Sequence, residues 1–141
     1  MNKILLVLFC LVFTPFAYAA NVGTCTEVLE DMPNSGAKVI TVTCTADTGN
    51  IVYTLEKYKS VLGKVLYQVE VFPLVVPTAA SDLYIYDFGA DVAAGELVNK
   101  ATTTGTITIL SYKPAVTGPW TIDVDNNAVA AARLVFKLTF Y

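Results

Sequence analysis

TCTEVLEDMPNSGAKVITVTC, residues 24–44, is the stretch that decides the fold. Cys25 and Cys44 stand at equal distances from the centre of Pro33-Asn34-Ser35-Gly36. A hairpin bent about Asn34-Ser35 therefore sets the two cysteines directly opposite each other. Pro33 has no N–H to give a ladder, so a four-residue loop closed by Met32 and Ala37 is expected in place of a two-residue one. Counting outward from that closure puts Cys25 and Cys44 on a non-hydrogen-bonded pair. There the Cα atoms come closest, near the lower end of the spacing a disulfide accepts.

The same register opposes Asp31 to Lys38 and Leu29 to Ile40. It lines Cys25, Leu29, Ile40, Val42 and Cys44 along one face and Thr24, Thr26, Thr41, Thr43 and Thr45 along the other. Glu27 is the misfit, a carboxylate on the apolar face. The expected bridge is structural, because no CxxC spacing is present and redox-active pairs favour one.

A disulfide needs an oxidising compartment, and the first residues point the same way. MNKILLVLFCLVFTPFAYAA carries Lys3, then the apolar run Ile4 to Phe13, then Ala17-Tyr18-Ala19. That is the order of a secretory signal with a small-x-small cleavage site. The run is shorter than the roughly 20 residues a spanning helix needs. Residues 1–19 are expected to be a signal peptide and residues 20–141 one domain, secreted or periplasmic, with no membrane segment after cleavage. The 122 residues from Ala20 carry twelve acidic and eight basic side chains, spread along the chain. With no basic stripe, nucleic acid is not an expected partner.

Beyond Gly49 short β-like runs alternate with turn signals. Residues 51–58 read as one strand and Lys64–Phe72 as another, while Pro73 and Pro77 mark Leu74-Val75-Val76 as an extended connection or an edge. Leu83–Asp87 reads as a strand and residues 89–104 as a long loop. Thr106–Tyr112 follows, then a strand with Trp120, Ile122 and Val124 on one face and Thr121, Asp123 and Asp125 on the other. Asn126-Asn127 turns the chain, and the last strand puts Leu134, Phe136, Leu138 and Phe140 on one face; residues 128–132 admit a helical turn. About eight strands at this spacing predict an all-β protein, an antiparallel sandwich of Ig-like or jelly-roll-like type that opens with the disulfide-bridged hairpin.

The chain has no histidine, which removes the commonest general base and zinc ligand. Both cysteines after residue 19 are committed, and no serine sits in a nucleophile elbow. A non-enzymatic protein with no catalytic residues is expected. Two acidic clusters offer oxygen ligands for calcium: Asp87 with Asp91, and Asp123 with Asp125 and Asn127. Neither completes an EF-hand spacing, and Asp and Asn in turns commonly bond their own backbone. No cofactor is otherwise expected. Tyr84, Tyr86 and Phe88 share a strand face, which suits contact with a sugar or a protein and equally suits packing beneath the long loop. Trp120 reads as a core anchor.

The segments DLYIYDFGADVAAGELVNKATTT (residues 82–104) and KPAVTGPWTIDVDNNAVAAARLVFKLTF (residues 113–140) carry a resemblance. Asp82, Asp87, Gly89, Asp91, Val92, Gly95, Asn99, Thr102, Pro114, Gly118 and Asn127 fall in an order similar to that of small β-rich proteins encoded among the virion structural genes of tailed bacteriophages. It extends over about residues 64–140. The resemblance implies a small sandwich that acts by contact, as a virion-associated or decoration-type module, and carries over no catalytic residue. The loop AAGELVNK holds fewer glycines than the family pattern, and the export signal implies an exported cellular or prophage-encoded relative. The expected role is therefore structural or adhesive, with a protein partner, self-assembly or a cell-surface glycan as the contact. The alternatives are an exported module binding carbohydrate or calcium, a fibre subunit, and a small outer-membrane barrel.

Overall fold

The computed structural model describes residues 22–47, 49–77, 81–87, 96–101, 106–110 and 115–141. The signal assigned to residues 1–19, Phe88 and Asp91 lie outside the described residues. Among the described residues nine strands follow in order: β1 Thr24–Asp31, β2 Lys38–Thr45, β3 Ile51–Thr54, β4 Leu66–Val75, β5 Asp82–Asp87, β6 Glu96–Ala101, β7 Ile107–Leu110, β8 Trp120–Asp125 and β9 Arg133–Phe140. A 3-10 turn, Lys57–Val61, separates β3 from β4.

The opening hairpin forms in the expected register, with Cys25 opposite Cys44, Leu29 opposite Ile40 and Asp31 opposite Lys38. The Met32 N–H donates to the Ala37 carbonyl at 2.9 Å and closes the loop. Within the loop Asn34 and Gly36 take positive φ, 72° and 67°, a region open to Gly and tolerated by Asn. The Cys25–Cys44 disulfide joins the strands with Cα atoms 4.1 Å apart.

The strands form two antiparallel sheets, ordered β1-β2-β9-β4-β7 and β3-β8-β5-β6. Their pairs nest: β2 with β9, β3 with β8, β4 with β7 and β5 with β6. The chain from β2 to β9 is thus one long hairpin, bent around β5 and β6 and rolled so that successive rungs alternate between sheets. That is the connectivity of a jelly roll, which buries most of its strand edges. β1 lies outside the nest, added to the edge of β2 alone.

Period-two alternation fills the core between the sheets. Ile40, Val42, Cys44, Leu66, Val69, Val71, Leu134, Phe136, Leu138 and Phe140 come from the five-stranded sheet. Ile51, Tyr53, Leu83, Ile85, Trp120, Ile122 and Val124 come from the other. Trp120 is fully buried, its ring 5.6 Å from that of Phe140, so it anchors the core.

Three expectations are corrected and one pair of alternatives is decided. The strand assigned to residues 51–58 stops at Thr54, because the N–H groups of Glu56 and Lys57 turn aside to the Glu27 carboxylate. Of the two readings of Leu74-Val75-Val76, the edge holds for Leu74 and Val75: β4 continues through Pro73 to Val75 against β9. Pro73 is tolerated because β7 pairs only with Gln68–Val71, so β4 is an edge on that side by the time proline arrives. Lastly, the span assigned to a long loop, residues 89–104, contains β6, paired with β5. Residues 128–132 form a turn with Ala131 at φ 62°, not a helical one.

Candidate functional site

The misplaced carboxylate of the first hairpin proves to be a clasp. Glu27 Oε2 accepts the Tyr53 hydroxyl at 3.0 Å and the Glu56 N–H at 2.8 Å, and Oε1 accepts the Lys57 N–H at 2.9 Å. The charge sits at the start of the 3-10 turn, where free N–H groups need an acceptor. Burial, reinforced by the neighbouring Glu27 charge, raises the Tyr53 hydroxyl well above its usual pKa, so it stays a proton donor. An edge strand of one sheet is thereby tied to the other sheet. The sequence signal was a lone Glu on an apolar face, and its partners lie 26 to 30 residues away.

The outer face of the four-stranded sheet gathers most of the other candidate residues. In register across β3, β8 and β5 run Thr54–Thr121–Tyr86 and Val52–Asp123–Tyr84, with Asp125 opposite Asp82 in the next row. The Tyr84 and Tyr86 rings stack, centroids 5.8 Å apart and planes within 10°. Tyr86 is buried and Tyr84 half-buried, so the pair is only partly a surface. Two asparagines partner the acids: Asn50 Nδ2 donates to Asp125 Oδ1 and Asn126 Nδ2 to Asp82 Oδ2, each at 3.0 Å. Asp123 is treated differently. Its Oδ1 is buried without a hydrogen-bond partner among the described residues. Burial, with the Asp125 charge second, pushes its pKa up to about 6.

Along the backbone, Asp87 is set apart from Asp125. Asp82 pairs with Asp125 at one end of the β5–β8 ladder and Asp87 with Trp120 at the other, a separation of roughly 16 Å at about 3.3 Å per residue. Asn127 is withdrawn from any ligand set. It is buried, and its Nδ2 donates to the carbonyls of Gly49 and of Val129, while its Oδ1 accepts the Val129 N–H at 3.1 Å. Gly49 takes φ 129°, and a Cβ there would strike the Asn127 carbonyl. Among the described residues no three His, Cys, Asp or Glu side chains gather as metal ligands do.

The two ends of the sandwich differ. At one end Leu62, Val65, Tyr67 and Tyr141 stand exposed. Tyr141 exchanges backbone hydrogen bonds with Val65, at 2.8 and 3.0 Å, and its ring meets Tyr67 edge-on at 5.3 Å. At the opposite end β4 runs out through Leu74, Val75 and Val76, which are 56%, 45% and 45% exposed.

Among the described residues no helix is long and apolar enough to cross a membrane. A scan of the chain against protein-family models finds no match, and a search among curated proteins finds none either.

Proposed function

We propose that this chain is an exported, non-enzymatic jelly-roll module that works by contact, as a structural or adhesive part of a virion or cell surface. The observation that carries this reading is the exposed apolar side chains at both ends of β4, beside a closed core between the two sheets. The polar groups with assigned partners serve the fold: Glu27 clasps a turn and Asn127 fastens a loop. The absence of histidine from the sequence supports the same reading, as does the resemblance of residues 64–140 to virion-associated proteins of tailed phages. Export is supported by the leader-like residues 1–19 and by the disulfide, which persists in oxidising compartments.

Fractionation of producing cells, followed by mass spectrometry, tests it. The expected species begins at Ala20, carries the Cys25–Cys44 bond and co-sediments with particles or envelopes. A chain found reduced in the cytoplasm with its first 19 residues intact would overturn the reading.

A further inference from the structure

We propose that β1 forms the interface of a two-fold dimer, its open edge pairing antiparallel with β1 of a second copy. This gives the contact reading one partner, but on a different surface from the ends of β4, and either can fail without the other.

The two sheets end in four edge strands, β1, β7, β3 and β6. β7 and β3 are four residues long, and Val22 already bridges β3 at Val52. β6 meets β5 with a break in register and carries Lys100. Shortness, bulges and lysines are the usual guards of an edge. β1 has none of them: it is eight residues in unbroken register with β2, without proline or lysine. Its one guard is an inward-pointing charge, Glu27, and Tyr53, Glu56 and Lys57 already hold that charge.

The pairing with β2 decides which backbone groups remain. The Met32 N–H bonds the Ala37 carbonyl, and hydrogen-bonded pairs recur at every second residue from there. Thr24, Thr26, Val28 and Glu30 thus turn their N–H and C=O groups to β2, while Cys25, Glu27, Leu29 and Asp31 turn theirs away. Among the described residues nothing bonds those outward backbone groups.

Two such edges join only where outward residues meet outward residues. Centring the two-fold on Val28 opposes Cys25 to Asp31 and Glu27 to Leu29, with about eight backbone hydrogen bonds, two for each pair. On the solvent face it sets Val28 against Val28, Thr26 against Glu30 and Thr24 against Met32. Val28 and Met32 are 53% and 46% exposed in the single chain, so the pairing covers apolar side chains that the hairpin leaves in water. No carboxylate faces another directly. Asp31 is paired with Lys38 at 2.6 Å, Glu30 meets a threonine hydroxyl, and Glu27, diagonal to its counterpart, keeps its own donors. Glu56, Lys57 and Lys59 lie at the 3-10 turn, outside the ladder. Centring one residue earlier would oppose Glu27 to itself, and one residue later Glu27 to Asp31; like charges directly opposite destabilise a sheet. A two-fold contact closes at two copies.

Val28→Lys and Val28→Glu test the pairing, because the side chain is exposed in the single chain. In sedimentation velocity, the oxidised wild-type protein is expected to pass from monomer to dimer as concentration rises and to stop there. Each variant alone is expected to lose the dimer, since like charges then meet at the axis. An equimolar mixture is expected to regain it, since opposite charges meet there instead. Dimers that persist in the single variants, or a mixture that stays monomeric beside a dimeric wild type, would overturn the pairing. So would a wild type that is monomeric at every concentration, and co-sedimentation with particles would then still decide the contact reading by itself. Should a variant fail to fold, hydrogen exchange on wild type carries the test. The amides of Cys25, Glu27, Leu29 and Asp31 are expected to slow as concentration rises while those of β7 do not change. Exchange at those four amides that ignores concentration would overturn the pairing.

Discussion

Glu27 and Asp123 are both half-buried strand carboxylates, and the regions around them solve the same electrostatic problem differently. Around Glu27 two backbone N–H groups and a phenol converge, so the charge replaces its lost water with three donors. Around Asp123, on the outer face of the four-stranded sheet, the nearest charge is another carboxylate and one oxygen is left without a partner. A buried carboxylate stabilises a fold when donors meet it and strains the fold when they do not.

The hairpin that carries Glu27 offers the largest test of this contrast. Replacing Cys25 and Cys44 by serine frees a loop that loop-entropy reasoning values at about 3 kcal/mol. That loss should appear in the midpoint of a urea titration. If Glu27 holds β1 by itself, the hairpin amides will keep much of their hydrogen-exchange protection in the serine variant. If the disulfide holds it, β1 will exchange as rapidly as an open edge.

Glu27→Gln should cost less, about 1–2 kcal/mol, since hydrogen bonds to a charge are worth roughly that and two of these lie at an exposed turn. Its amide exchange should quicken at Glu56 and Lys57 before anywhere else. A urea midpoint equal to that of wild type would mean the clasp is incidental.

Asp123→Asn should move stability the other way, and by least. Its folded pKa, about 6, lies above the ordinary 3.8. The folded state therefore binds more protons than the unfolded state between those values. Stability is fully present below about pH 4 and is lost as pH rises through 6. A shift of that size would be worth about 3 kcal/mol for a group wholly out of water, and partial exposure screens it to on the order of 1 kcal/mol. Wild type should melt higher at pH 5 than at pH 7.5, and the asparagine variant should flatten that difference. A wild-type melting temperature that rises from pH 5 to 7.5 would show the aspartate to be well solvated.

Local chemistry made the hairpin legible: a proline, an Asn-Ser-Gly bend and two cysteines are enough to set its register. The faces of β8 and β9 were legible for the same reason, since alternation is a short-range pattern. What escaped depends on distant partners. Residues 96–101, ELVNKA, have no clean alternation and become β6 through pairing with β5. Residues 51–58 look like one strand until Glu27 diverts the backbone. Pro73 looks like a strand breaker unless one knows that β7 has already left that edge. Of the candidate residues, Asn127 suits turn chemistry better than cation binding as a letter, and its bonds to Gly49 and Val129 fix it in that turn role.

The nesting of strands also fixes when the molecule can fold. β2 takes its second neighbour from β9, so Lys38 waits for Phe140 and Thr45 for Arg133, partners about a hundred positions downstream. Contacts so remote make for slow folding. Until β9 emerges from a ribosome or a translocation pore, β2 has only β1 beside it, and the β1–β2 hairpin and the innermost bend at β5 and β6 are the local pairs able to close first.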